Sequence, residues 1–239
     1  KKAGKRMAKI IRRRGLTIIK VGVLSLFVSC ACANDDPFES GNRNMHRFNE
    51  YADENVLRPI ARIYEDTLPA NLRAGVTNFF SNLESINNVL NSALQMKMDE
   101  SLQELTRFCL NTTIGVGGFF DPASRLSIND SNEDFGQTFS VWGANRGPYI
   151  VLPFFGPSTI KDALGSSLDF VVNPTRLYNP SAHQLFFSAT NVANSRAELL
   201  SVENVVFGDK YLFYKNAYLQ RREFLELDGE VIDAFDDEF

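Results

Sequence analysis

The chain has 239 residues, 44% of them hydrophobic and 23% charged, enough for one large domain or two small ones. Nine of its 25 basic residues precede Cys30 with no acidic residue among them, which leaves 16 basic against 29 acidic residues beyond it, a net charge of −13. A body this acidic lacks the Lys and Arg needed to neutralise nucleic-acid phosphates, and an anionic membrane surface repels it unless apolar contact overcomes the repulsion.

The basic N-terminus leads into "LTIIKVGVLSLFVSC", whose thirteen residues from Leu16 to Val28 are broken only by Lys20, Gly22 and two small hydroxyl residues. This is the length of a signal-peptide apolar region and too short to span a bilayer. Its ending "FVSC" resembles the lipobox of bacterial lipoproteins, in which peptidase cleavage exposes a cysteine that carries the acyl chains. Cys30 is the expected acceptor, with Cys32 the alternative; an ordinary secretory cleavage near Ala33 would remove both. Several acyl chains exceed the single chain that gives only marginal binding. Ala31 stands where the enterobacterial sorting rule places Asp for inner-membrane retention, so the resemblance implies the outer membrane. Residues 1–29 are therefore expected to be a leader, with Met7 an alternative start, and 30–44, polar and turn-rich, a lipidated tether.

The helical period begins at Met45, Phe48, Ala52 and Val56, on one face of a helix expected to end before Pro59. Pro69 restarts the chain, with Leu72, Val76, Phe79/Phe80 and Leu83 on one stripe and Leu83, Ile86, Leu90 and Leu94 on the next. Leu102, Leu105 and Cys109 follow, with Asp99 the expected N-cap and Cys109 expected as a small buried hydrophobe. From Asn111 to Ile128 no period persists. A short helix fits Asp134 to Trp142, and Gly143–Ser158 reads as extended and proline-broken. Pro157-Ser158 is expected to open a helix through Ile160, Leu164 and Leu168. Two long helices close the chain, Leu185 to about Val205 and Lys210 to about Leu227, separated by Gly208. The class is mainly α, without a visible repeat.

Twenty phenylalanines stand against one tryptophan, eight of them as doublets: Phe79-Phe80, Phe119-Phe120, Phe154-Phe155 and Phe186-Phe187. Neighbours on a helix point about 100° apart, so a doublet demands a broad apolar face. Core plugs beneath loops and rings against a membrane are the two readings open for them.

Chemistry is sparse. His46 and His183 are the only histidines, each read as a surface or helix-face residue; neither has a carboxylate or cysteine at metal-ligand spacing, so no metal or cofactor is expected. No G-x-S-x-G elbow is present. The glycine-rich "NTTIGVGGFFDPAS" (Asn111–Ser124) lacks the Gly-Lys-Ser/Thr of a P-loop, and its glycines are read as supplying positive φ or a bend beside bulky neighbours. By spacing alone it is a flexible hairpin between apolar helices.

Five stretches, "DPFESGNRNMHRFNEYADENVLRPIARIY", "VTNFFSNLESINNVLNSALQ", "RFCLNTTIGVGGFFDPAS", "EDFGQTFSVWGANRGPYIVLPFFGPSTIKDALG" and "VVNPTRLY", resemble in this order the MlaA (VacJ) family of outer-membrane lipoproteins. The likeness spans about Asp36 to Tyr178. The family usually has Gly-Phe-Asn where Ser40-Gly41-Asn42 stand, and an aromatic residue at His46. The resemblance implies a non-enzymatic protein: a single ring-shaped helical domain (45–227), its amphipathic helices lying in the inner leaflet of the outer membrane. It implies a channel that passes phospholipids misplaced in the outer leaflet to a periplasmic lipid-carrier protein, and a trimeric outer-membrane porin that holds the ring.

On that basis Ile114, Gly115, Val116, Gly117, Gly118, Phe119 and Phe120 are expected to line or gate the channel mouth, the alternative being a stiff hairpin packed on the core. Phe79, Phe80, Tyr149, Ile150, Val151, Leu152, Phe154 and Phe155 are the expected membrane contacts. The tail 228–239 continues a run of eight acidic residues from Glu223 to Glu238, expected to dock the carrier or to end the chain as a solvated segment. The competing readings are an envelope scaffold without a channel and a lipid-modifying hydrolase, which no nucleophile–base motif supports.

Overall fold

The computed structural model describes residues 36–174, 181–205 and 208–230. The expected leader, Cys30, Cys32, the end of the "VVNPTRLY" block and the tail from 231 lie outside the described residues.

Helix α1 (Glu39–Ala52) starts upstream of the expected Met45, so the second half of the expected tether is already helical, with Asn42 buried. It does not end before Pro59. A π-helical turn (Asp53–Leu57) carries it into α2 (Arg58–Thr67). The Arg58 N–H reaches back to the Asp53 carbonyl, and Pro59 falls in the first turn of α2, where its missing N–H costs little. The run stops at Leu68, held extended (φ −102°, ψ 124°) by the proline that follows it. The two expected stripes then form one helix, α3 (Ala70–Leu94), and α4 (Met98–Thr113) packs antiparallel to it. Ser101 Oγ donates to the Val89 carbonyl at one end and Asn82 Nδ2 to Thr112 Oγ1 at the other. Asp99 is not the cap; Lys97 precedes the helix, and Asp99 lies in the first turn, where a carboxylate suits the helix dipole.

Short α5 (Pro122–Arg125) and α6 (Phe135–Val141) are each capped by an aspartate, Asp121 accepting from Ser124 N–H and Asp134 from Gln137 N–H. The extended segment closes into an antiparallel hairpin, β1 (Tyr149–Leu152) and β2 (Gly156–Thr159), with Tyr149 opposite Thr159 and Leu152 opposite Gly156. Pro157 thus belongs to the hairpin and opens no helix; a two-stranded sheet has edges that tolerate it. Thr159 caps α7 (Ile160–Val172) instead. Helix α8 (Ser181–Glu198) runs through a 3₁₀ stretch (Leu199–Val205), and after Gly208 (φ 78°) comes α9 (Lys210–Glu226), capped by Asp209.

The helices are amphipathic, as expected, but their faces are turned. Along α3 the buried positions include Asn82, Ser85, Asn88, Asn91 and Ser92; along α4 they are Ser101, Glu104, Arg107 and Asn111. Leu72, Leu102, Leu105, Ile160, Leu164 and Leu168 are exposed. Among the described residues, 23 buried side chains are polar or charged and nine are apolar, the reverse of a water-soluble core. Cys109 follows its leucine neighbours outward and is exposed, correcting the expectation of burial. The apolar core reduces to Tyr149, Val151 and Tyr211, flanked by Met45, Tyr218 and Leu219.

Buried polar groups stabilise a fold only when they are paired. Here Asn91 Oδ1 accepts from Thr138 Oγ1 (2.8 Å), and Gln95 Nε2 donates to Glu133 (2.6 Å) and Thr138 (3.2 Å). Arg107 reaches Asp121 (3.2 Å), and Glu104 accepts from Ser131 N–H (2.8 Å). Helix α9 joins this interior by charge: Lys215 pairs with Asp36 (3.3 Å), Arg222 with Asp134 and Asp162, and Glu226 with Lys161 (2.5 Å).

Candidate functional site

Three features stand on this inverted scaffold: the glycine-rich loop, the hairpin tip and a polar cavity. The loop leaves α4 as a tightly bonded turn. Gly117 N–H reaches the Thr112 carbonyl (2.9 Å), Gly118 the Asn111 carbonyl (2.8 Å) and Phe120 the Gly115 carbonyl (2.9 Å). Val116, Gly117 and Gly118 take positive φ in succession (56°, 70° and 93°), which the last two residues tolerate for want of a Cβ. Gly118 also backs onto Asn82 of α3, where a Cβ would meet the Asn82 side chain at 2.6 Å. The Phe119 ring lies over Gly75, and Asn78 Nδ2 donates to the Phe119 carbonyl (3.2 Å). Ile114, Val116 and Phe120 point outward, while Gly115 and Gly118 are buried. The segment is thus a turn pinned to α3 with an apolar crest.

The hairpin is aimed by two asparagines on α1. Asn42 Nδ2 donates to the Tyr149 carbonyl (3.1 Å) and its Oδ1 accepts from Val151 N–H (2.9 Å). Asn49 does the same one step on, to the Leu152 carbonyl and Phe154 N–H, both at 2.8 Å. Seven helical residues rise about 10.5 Å, and three strand residues about 10 Å, so the two amides meet the β1 edge in register. Phe154 takes a left-handed turn (φ 65°), and its ring stands edge-on to Phe48 at 5.3 Å. Phe154 and Phe155 are 67% and 79% exposed.

Of the expected membrane contacts, these two rings face outward. Phe79 is half-buried and stacks on Phe187 at 6.0 Å, and Ile150 and Leu152 are half-buried. Phe80, Tyr149 and Val151 are buried and present nothing to a membrane. The cause is local: alternation in β1 sends Tyr149 and Val151 inward, and the helical step separates Phe80 from Phe79. His46 is half-buried between Tyr211 and Tyr214, and burial holds its pKa below the usual histidine value. His183 lies in α8.

A cavity of about 490 Å³ opens between α3, α7 and α9, lined by Glu84, Asn87, Asp169, Tyr218 and Arg221 among others. Beside it, burial acts to raise the Asp162 carboxyl, but Arg222, Tyr218, Thr159 and Lys161 together hold it below the ordinary range. Burial and the neighbouring Asp134 push Asp169 the other way, up to about 6. Among the described residues no three His, Cys, Asp or Glu side chains are placed to hold a metal ion, and no helix is long and apolar enough to cross a membrane.

The MlaA lipoprotein family model matches residues 34–225. The chain belongs to this family. An MlaA relative in Escherichia coli, the intermembrane phospholipid transport system lipoprotein MlaA, is 32% identical over 221 residues, covering 87% of each chain. The Haemophilus influenzae protein of the same name is 28% identical, covering 90% of this chain and 93% of its own. An uncharacterized protein of Rickettsia prowazekii is 31% identical over 192 residues, 79% of this chain and 76% of that one. A solved structure described under "Structural basis for maintenance of bacterial outer membrane lipid asymmetry" superposes with a TM-score of 0.71 at 31% identity, over 81% of this chain and all of that one. The helical fold with its small two-stranded sheet is thus the MlaA fold.

Sequence reasoning missed Asn42, Asn49 and the polar stripe of α3. A signal was there: "NLESINNVLNS" places Asn82, Ser85, Asn88 and Ser92 at helical spacing, a face as regular as the leucine stripe beside it.

Proposed function

We propose that the chain is an outer-membrane lipoprotein, acylated on Cys30, that lies in the periplasmic leaflet as a ring of amphipathic helices. It takes phospholipids misplaced in the outer leaflet and passes them through an amphipathic channel to a periplasmic lipid carrier, with a trimeric porin holding it in place. One observation carries the reading: polar side chains are gathered inside and leucines and phenylalanines outside, a distribution suited to an apolar surrounding. Family membership and the names of its relatives support the same direction.

Carrying a headgroup across dry hydrocarbon leaves its polar groups unsatisfied, at a cost of several kcal/mol. A polar wall lowers that barrier, and lateral diffusion then needs no nucleotide hydrolysis and no bond-making residue. Ile114–Phe120 stands at the mouth of the path in this reading, its apolar crest toward acyl chains, and Phe154 and Phe155 dip into the leaflet. The experiment is the phospholipid content of the outer leaflet in cells deleted for the gene. It should rise on deletion and return to normal with the wild-type chain. Unchanged asymmetry on deletion would sink the transport reading and leave a scaffold role.

A further inference from the structure

The cavity between α3, α7 and α9 carries a charge pattern that the transport reading does not use. Half of its charged groups are already neutralised. Glu133 is paired with Lys97 (2.6 Å), and Arg222 is held between Asp134 (3.1 Å) and Asp162 (2.9 Å). Three lining groups make no ion pair among the described residues: Glu84 of α3, Asp169 of α7 and Arg221 of α9. Asp169 is oriented as well as unpaired. Its Oδ1 accepts from Asn87 Nδ2 (2.5 Å), Asn91 Nδ2 (3.5 Å) and Phe135 N–H (3.2 Å). Its Oδ2 has no partner among the described residues, and Asn87 Oδ1 in the same wall is likewise unpartnered. The upward displacement of the Asp169 pKa by burial and Asp134 marks a carboxylate short of positive charge.

We propose that this cavity is a station for the headgroup of an aminophospholipid, the primary ammonium meeting Asp169 Oδ2 and Glu84 and the phosphate diester meeting Arg221. Two unpaired acids against one unpaired base complement a headgroup that brings its own cation. A headgroup carrying only phosphate and hydroxyls leaves both acids uncompensated. A primary ammonium donates three hydrogen bonds to a cluster of oxygen acceptors, whereas a quaternary one donates none. The proposal rests on the phospholipid-channel reading and narrows it to a headgroup class.

Its test is native mass spectrometry of the full lipidated chain in detergent, offered equimolar phosphatidylethanolamine, phosphatidylglycerol and phosphatidylcholine. The ethanolamine lipid should be retained over the glycerol lipid on the order of tenfold, as for one charge-assisted contact. Asp169→Asn keeps the Oδ1 acceptor and should reduce the ratio. Glu84→Gln, at an exposed side chain, should reduce it without a folding risk. The double variant should erase the preference by lowering the ethanolamine lipid to the level of the glycerol lipid, and Arg221→Ala should weaken all three lipids alike. Glycerophosphoethanolamine, the headgroup without acyl chains, should compete only in large excess; competition at equimolar amounts would overturn the lipid assignment. Equal retention of the lipids by the wild type, or a ratio unchanged in the double variant, would overturn the headgroup assignment and leave the channel standing. No lipid retained at all would overturn both.

Discussion

Replacing Phe155 with serine, alone and with Phe154→Ser, tests whether the hairpin tip is a membrane anchor. Fully burying a phenylalanine stabilises by about 1.5–3 kcal/mol. At 67% and 79% exposure, most of that gain remains unused in water. Inserting both rings is then worth about 2–4 kcal/mol, a change of roughly 30- to 1,000-fold in partition coefficient. The assay is flotation of residues 33–239, which lack Cys30 and Cys32, with vesicles of zwitterionic lipid. Zwitterionic vesicles also avoid the repulsion an anionic surface would exert on a body of charge −13. Phe155→Ser should lower binding about tenfold with an unchanged melting temperature. The double variant should lose more, with a small stability cost from the broken Phe48 contact. Equal flotation of wild type and double variant would refute the anchor and return the two rings to ordinary surface residues.

Three further outcomes follow from the interior. Gly75→Ala forces a Cβ to within 2.2 Å of the Phe119 ring; it should cost about 1–3 kcal/mol, and Phe119→Ala in the same chain should recover part of this in a double-mutant melting cycle. Burial and Asp130 raise the Glu104 carboxyl to about 7 from 4.5, so the folded chain holds that proton where the unfolded chain has lost it. Stability should therefore rise as pH falls from about 7 to 4.5, and denaturant titrations across that range should show the slope flattened in Glu104→Gln. Asn42→Ala removes both amide contacts to β1; amide exchange at Val151 should accelerate, while exchange within α4 should not.

Periodicity placed the helices well because α3, α4 and α7 keep a 3.6-residue apolar repeat whichever way the repeat faces. Facing is what periodicity cannot give. A stripe of leucines at i, i+3 and i+7 looks the same whether it packs a core or lies against hydrocarbon, so Cys109 was assigned inward and stands outward beside the exposed Leu102 and Leu105. The same indifference misled the Phe80, Tyr149 and Val151 expectations, where a doublet or an apolar run hides a strand or helix that alternates its faces. Pro59 was read as ending a helix and Pro157 as opening one; a π-turn and a sheet edge accommodate them because each sits where no N–H is required. The α1–β1 clasp rests on two asparagines a hundred residues from their partners, a long-range register that no local pattern announces.

The turned polarity of α3 and α4 also reverses the usual sign of mutation. In an ordinary soluble domain, a leucine changed to serine endangers the fold and an asparagine changed to leucine is a gain in cohesion. Here Leu102 and Leu105 can be made polar with the fold intact and the molecule easier to keep dispersed, whereas Asn91 made apolar would lose its bonds to Thr138 and Asp169 with nothing to replace them. For such a chain water is the poorer solvent. The hazardous interval in its life is the journey between synthesis and arrival, when its outer leucines face water and neighbouring copies offer the nearest hydrocarbon. A companion that shields those side chains in transit would therefore guard against self-association more than against unfolding.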